Sequence, residues 1–234
     1  MAANRFNTSN PALKAFRTAG VVGERAMTIE GTAEKTAILL ILASVAAMFT
    51  WRFYNTAPQS VGPLVMAGAL IGFGVAIFTT FKPLWAPITA PMYAVFEGVV
   101  LGGISAAVNS KMPGIAGQAV FLTFAVLAGM LIAYRTGIIK VTERFRMGVA
   151  AATFGIVGFY LIAFVSSLFG GAFGNTIIYG YGFFGIGFSA FVVTIAALNL
   201  TLDFDSIARL SQAGAPQAME WYGGFVLLIT LVWL

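Results

Sequence analysis

The chain has no cysteine and no histidine, and only 9% of its 234 residues are charged. Without cysteine there is no disulfide, no thiolate nucleophile and no thiolate metal site, and the redox compartment is left undetermined. Without histidine, haem ligation and histidine-held metals are excluded. So are a Ser-His intramembrane protease and an H-E-x-x-H metalloprotease. An ordinary soluble domain is roughly 25% charged, so a water-exposed surface of the usual kind cannot be built from this composition. No span interior carries the lysine that a retinal protein needs, and no Gly-x-Gly-Asp precedes Asp203 or Asp205, as it would in a presenilin-like protease. Neither an enzymatic activity nor a bound organic cofactor is expected.

Apolar side chains are what the chain has in abundance, at 59% of its residues. They come in long continuous runs, unlike the short alternating segments of a membrane β-barrel. In lipid every backbone polar group must be satisfied internally, and a hydrocarbon core of about 30 Å takes about 20 residues of helix to cross. The fold class is therefore an all-α polytopic membrane protein. Seven runs read as transmembrane helices: 37–51, 62–80, 86–107, 116–134, 147–169, 180–202 and 217–234. They form one seven-helix transmembrane domain over residues 37–234, behind a polar cytoplasmic tail of residues 1–36. Within the tail, Asn10-Pro11 followed by Leu13 and Phe16, with Lys14 and Arg17 interleaved, suits either a short interfacial helix or an unstructured segment. The last run stops at Leu234 without the polar or basic residues that usually close a span.

The net charge of +5 is spread over separate loops and does not mark a nucleic-acid binder; it reads instead as topology. Arg5, Lys14, Arg17, Arg25, Lys35, Lys82, Arg135, Lys140, Arg144, Arg146 and Arg209 fall on one side of the membrane, with Arg52 and Lys111 alone on the other. The expected localisation is the cell membrane, with the N-terminus cytoplasmic and the C-terminus outside. Gly68 and Gly72, Gly98 and Gly102, and Gly155 with Gly158 supply small residues at helix-packing spacings. No internal repeat is evident, which weakens an inverted-repeat transporter reading.

The acids that lie in or beside the membrane are the candidate site. Glu97 is about ten residues into the third run, roughly 15 Å deep, and no span carries an interior Lys or Arg to pair with it. It reads as a proton-responsive carboxyl or, more plainly, as a neutral hydrogen-bonded packing residue. Asp203 and Asp205 stand at the end of the sixth run, where a helix C-terminus disfavours anions, so a cation is expected beside them. Arg209 is four residues beyond Asp205, and a plain i,i+4 ion pair is the simplest candidate. Residues two apart do not share a helix face, so only one of the two aspartates can look into the bundle. Glu220 opens the seventh run beside Trp221 and Tyr222, an ordinary helix start by itself. Since 203, 205 and 220 border one short loop, their carboxylates are expected to approach one another, raise one another's pKa and attract a hard cation such as calcium.

These stretches carry a resemblance. TIEGTAEKTAILL (28–40), YAVFEGVVLGGIS (93–105), LTLDFDSIARL (200–210) and APQAMEWYGGFVLLITLVWL (215–234) resemble the bacterial branch of the Bax inhibitor-1 family, the transmembrane Bax inhibitor motif group. The resemblance runs from about residue 28 to the end. It implies a seven-helix bundle whose last helix is enclosed by the other six. It also implies a calcium leak gated by protons through a pair of aspartates near the cytoplasmic ends of helices six and seven. The helix-six aspartate matches Asp205 best, with Asp203 as the alternative. The helix-seven aspartate would fall near Thr230, which cannot ionise, and the nearest acid is Glu220. The expected function is a pH-sensitive calcium or cation leak channel whose partners are the lipid bilayer, calcium ions and protons. A proton-coupled secondary transporter using Glu97, or a non-transporting regulator of membrane proteases or cell death, are the alternatives.

Overall fold

The computed structural model describes residues 25–168 and 183–234. The short helix considered within residues 10–17 and the glycine-rich break at 170–174 lie outside the described residues. Among the described residues seven α-helices follow one another: α1 (Ile29–Thr56), α2 (Pro58–Phe81), α3 (Ala86–Lys111), α4 (Ile115–Arg135), α5 (Glu143–Leu168), α6 (Phe183–Gln212) and α7 (Met219–Trp233), with one 3-10 turn, Pro83–Trp85, leading into α3. The described residues hold no β-strand, and their one isolated bridge joins Ala26 to Pro216. The all-α polytopic fold expected from the apolar runs is the fold observed. The helices α1 to α6 are each long and apolar enough to cross a bilayer. The fifteen residues of α7 reach only about 22 Å, short of the roughly 30 Å of hydrocarbon.

That short helix is nevertheless the centre of the bundle. Glu220, Gly223, Gly224, Phe225, Leu227, Leu228 and Leu231 are buried, seven of its fifteen residues, and it packs against α1, α3 and α6. One core cluster joins Leu39 and Ala43 of α1, Ala90, Tyr93 and Ala94 of α3, and Phe225 and Leu228 of α7. Tyr93 and Phe225 meet edge to face with centroids 5.1 Å apart. A second cluster joins Met27, Leu200, Ile207, Leu227 and Leu231, tying α6 and the residues before α1 to the other side of α7. Because protein packs against most of α7, a helix too short to span by itself is stable there.

The closest packing is between α1 and α3, and glycine permits it. A Cβ on Gly98 would lie 2.8 Å from the Ala46 Cβ and would overlap the Ala43 carbonyl, and one on Gly102 would lie 2.7 Å from the Ala47 Cα. Gly68 and Gly72 of α2 seat the α3 side chains Val100 and Phe96 in the same way, less tightly. Gly155 and Gly158 are different. Nothing lies within 4 Å of either position, so their spacing does not mark a helix contact among the described residues.

Helix ends differ from the apolar runs in an instructive direction. The α1 helix starts at Ile29 and not near residue 37, and runs on through Trp51-Arg52 to Thr56. The α6 helix continues through Asp203, Asp205 and Arg209 to Gln212. Polar residues end a lipid-buried stretch without ending a helix, since Glu, Lys and Arg are good helix formers. One inference falls as a result. The two aspartates are about two turns or more from the end of α6, beyond the last turn in which the helix dipole acts, so the dipole does not account for the cations beside them.

Candidate functional site

Three carboxyls border the α6–α7 connection, and each has its own partner. Asp203 and Asp205 are two residues apart on α6, so their side chains leave the helix about 200° apart. Asp203 points at α7, where Thr230 Oγ1 donates a hydrogen bond of 2.6 Å to its Oδ2. Asp205 points at α5: its Oδ2 accepts from Arg146 Nη2 at 2.6 Å and from Arg209 Nε at 2.7 Å. The i,i+4 pair with Arg209 is the one expected, while Arg146 joins it across 59 residues of sequence. Arg146 sits in the first turn of α5, where the dipole disfavours a cation, and the Asp205 carboxylate offsets that. Arg209 lies in the last turn of α6, where a cation is favoured. Tyr134 at the end of α4 stacks obliquely on Phe204, centroids 5.9 Å apart, so α4 also reaches this corner.

Glu220 has been drawn away from the other two. It is 2% exposed, and its Oε1 accepts from Thr28 N at 3.0 Å and from Thr28 Oγ1 at 2.9 Å. Thr28 is the N-cap of α1, its hydroxyl accepting from Gly31 N at 2.9 Å. In a capping box the residue three after the cap, a Glu or Gln, takes the cap's own N–H. Here that residue is Gly31, and a carboxylate from α7 occupies the space: a Cβ on Gly31 would run into the Glu220 carboxyl. The segment before α1 is further pinned to the loop between α6 and α7. Met27 N donates to Ala215 O at 2.7 Å, Gln217 N to Arg25 O at 3.0 Å, and Ser211 Oγ to Met27 O at 3.1 Å.

The expectation that Asp203, Asp205 and Glu220 converge is therefore not met. Among the described residues no three acidic groups come together as a metal site. Calcium takes six to eight oxygen ligands, and these carboxylates face three different helices. The pairing at position 230 also departs from expectation: the aspartate that meets Thr230 is Asp203, not Asp205. Helix geometry is the cause, because the face of α6 that carries Asp203 is the one turned toward α7.

Glu97 lies apart, half-buried in α3. Tyr93, one turn earlier, interacts with its carboxyl, and Gly72 of α2 faces it. Among the described residues it takes part in no ion pair, in keeping with the lack of any interior Lys or Arg. Three participants went unnoticed in the sequence. Thr28 could have been found as a Thr before an apolar helical run, a standard cap position. Arg146 looked like one more basic loop residue. Asn199, whose Nδ2 donates to Thr153 Oγ1 at 2.9 Å and ties α5 to α6 within the membrane, carried a signal that could have been used, since a lone amide in an apolar run usually bonds across helices.

No match was found among curated proteins or among solved structures. The family model described as Bax inhibitor 1 like, however, matches residues 4–234, taking in the carboxyl-bearing α6, the enclosed α7 and the capped start of α1, and on that match the chain belongs to the Bax inhibitor-1 family.

Proposed function

We propose that this membrane protein is a cation leak, passing calcium down its gradient, whose flux follows protonation of the α6 carboxyls. The observation that carries the reading is the contact between Asp203 and Thr230 at 2.6 Å. It sits on the seam between α6 and the enclosed α7, so a change of charge there acts on the helix around which the bundle is built. Ionised, Asp203 is an anion held by one hydroxyl within an apolar bundle and offers a cation its first oxygen ligand along the seam. Protonated, it offers no charge. Asp205 plays a different part, because its carboxylate is shared by two guanidinium groups and fastens α6 to α5. We place the N-terminus in the cytoplasm of the cell, since the basic residues Lys35, Lys82, Arg135, Arg146 and Arg209 gather at the end bearing these carboxyls.

The test is calcium efflux from liposomes holding the purified protein, measured while pH is varied. Asp203→Asn should remove most of the pH dependence, and Asp205→Asn should leave it largely in place. An unchanged profile in Asp203→Asn would overturn the assignment. A second reading, a proton-coupled transporter, draws on Glu97, half-buried and outside every ion pair of the described residues. In that case Glu97→Gln abolishes uphill transport while exchange persists, whereas in a passive leak it only modulates the flux.

A further inference from the structure

In the half of the bundle opposite the carboxyls, α4 leans on α6 and α3 but stands off α1. The gap is a cavity of about 580 Å³ between α1, α3, α4 and α7, a size within the range of small-molecule sites. Its floor is the buried Gly102 and Leu231. At its mouth Met48, Val120 and Phe124 are 60%, 56% and 47% exposed. These same apolar side chains lie on spans that face the bilayer, so the cavity opens toward lipid. Trp51 lines its far end, a residue type that settles at the level of the headgroups.

Three hydroxyls line the cavity, Ser44 of α1, Ser105 of α3 and Thr123 of α4. None of them makes a hydrogen bond within the described residues. Several other hydroxyls of the spans give their proton to the carbonyl one turn back, as Thr36, Thr79 and Thr153 do at 2.8, 2.8 and 2.9 Å, although the buried Thr201 hydroxyl does not. At about 1.5 Å per residue Ser105 and Thr123 lie roughly 9 and 12 Å inside the helix ends on this side and Ser44 roughly 18 Å, so the first two fall in the outer part of a hydrocarbon half-thickness of about 15 Å and Ser44 lies deeper. Apolar walls, an opening to the bilayer and spare donors at that depth ask for one kind of occupant. It must be an apolar chain that carries a hydrogen-bond acceptor near one end.

We propose that this cavity holds one acyl chain of a membrane phospholipid from the adjoining leaflet, with its ester carbonyl accepting from the Ser105 and Thr123 hydroxyls. The proposal does not depend on the ion-flux reading, since neither Thr230 nor any of the carboxyls lines the cavity. The full chain, reconstituted in phosphatidylglycerol vesicles doped with a phosphatidylglycerol bearing a photoreactive group near the carbonyl of one chain, is irradiated and its labelled peptides mapped. Label should concentrate on residues 44–48 and 116–124. Gly117 lines the cavity with nothing within 4 Å of its Cβ position, so Gly117→Leu should fill the space and cut that labelling several-fold. Gly129, equally open but outside the cavity on the same helix, is the control, and Gly129→Leu should leave the labelling as it was. Equal labelling in all three proteins would mean ordinary surrounding lipid and overturn the proposal. Labelling by the corresponding free fatty acid but not by the phospholipid would overturn it too. Should Gly117→Leu disturb folding, the double change Ser105→Ala and Thr123→Ala removes no hydrogen bond within the described residues. It should lower the same labelling several-fold, and undiminished labelling there overturns the proposal.

Discussion

Gly31 is the residue without which the start of α1 could not be built as it is. Thr28 caps the helix, Glu220 from α7 accepts both the Thr28 N–H and its hydroxyl proton, and the carboxyl fills the volume a side chain at position 31 would need. Gly31→Ala should therefore displace Glu220, although alanine favours helix by about 1 kcal/mol over glycine in an open position. A net loss of about 2–4 kcal/mol is expected, the sum of a lost cap and of hydrogen bonds to a charged group. Glu220→Ala should cost a similar amount. Glu220→Gln, which keeps one carbonyl acceptor, should cost about half as much. Unfolding in mild detergent measures all three, and a neutral Gly31→Ala would mean that the carboxyl readily moves aside. Beyond a cap at Thr28, none of this was legible from the sequence. Glu220 at a helix start beside aromatics is an ordinary pattern, and the donor it serves lies 192 residues away.

At the scale of elements, the number and order of the helices could be read directly from apolar runs, because lipid leaves few other ways to satisfy a backbone. Their ends could not. Hydropathy marks the part of a helix that lipid touches, so α1 and α6 each run on past their apolar stretches through Glu, Lys, Asp and Arg. Glycine spacing was equally half-informative. Gly98 and Gly102 let the α1 and α3 backbones meet, while Gly155 and Gly158 face open space, and the two pairs look alike in sequence. The contrast makes a prediction. Gly98→Leu forces a side chain into the Ala43 carbonyl, where overpacking of about 1–3 kcal/mol is a lower bound because backbone has to move. The expected result is poor yield of folded protein in size-exclusion chromatography. Gly155→Ala meets nothing and should be neutral or stabilising by up to about 1 kcal/mol.

For the whole molecule, the decisive feature is that a short buried helix, α7, meets a carboxyl-bearing helix, α6, through one polar contact, Thr230 to Asp203 at 2.6 Å. The family resemblance placed the missing second acid near position 230, and geometry then paired that position with Asp203. A hydroxyl suits either state of the carboxyl, since it donates to a carboxylate and accepts from a carboxylic acid. The parent seam thus holds together in both states, and its pH response rests on the charge of Asp203 alone. Two carboxyls at the same distance would behave otherwise. Neighbouring carboxyls share one proton and titrate as a pair in two steps. In Thr230→Asp the shared proton would bind α6 to α7 at mildly acid pH, and its loss would set two anions against each other and force the helices apart. On the proposed function, calcium efflux from liposomes should then climb with pH more steeply than in the parent. Thr230→Val, which removes the donor without adding charge, should leave Asp203 without a partner and lower stability by about 1–3 kcal/mol. Its efflux should still depend on pH, because the titrating group remains. A Thr230→Asp protein with the parent's pH profile would mean that the α6–α7 seam does not control the flux.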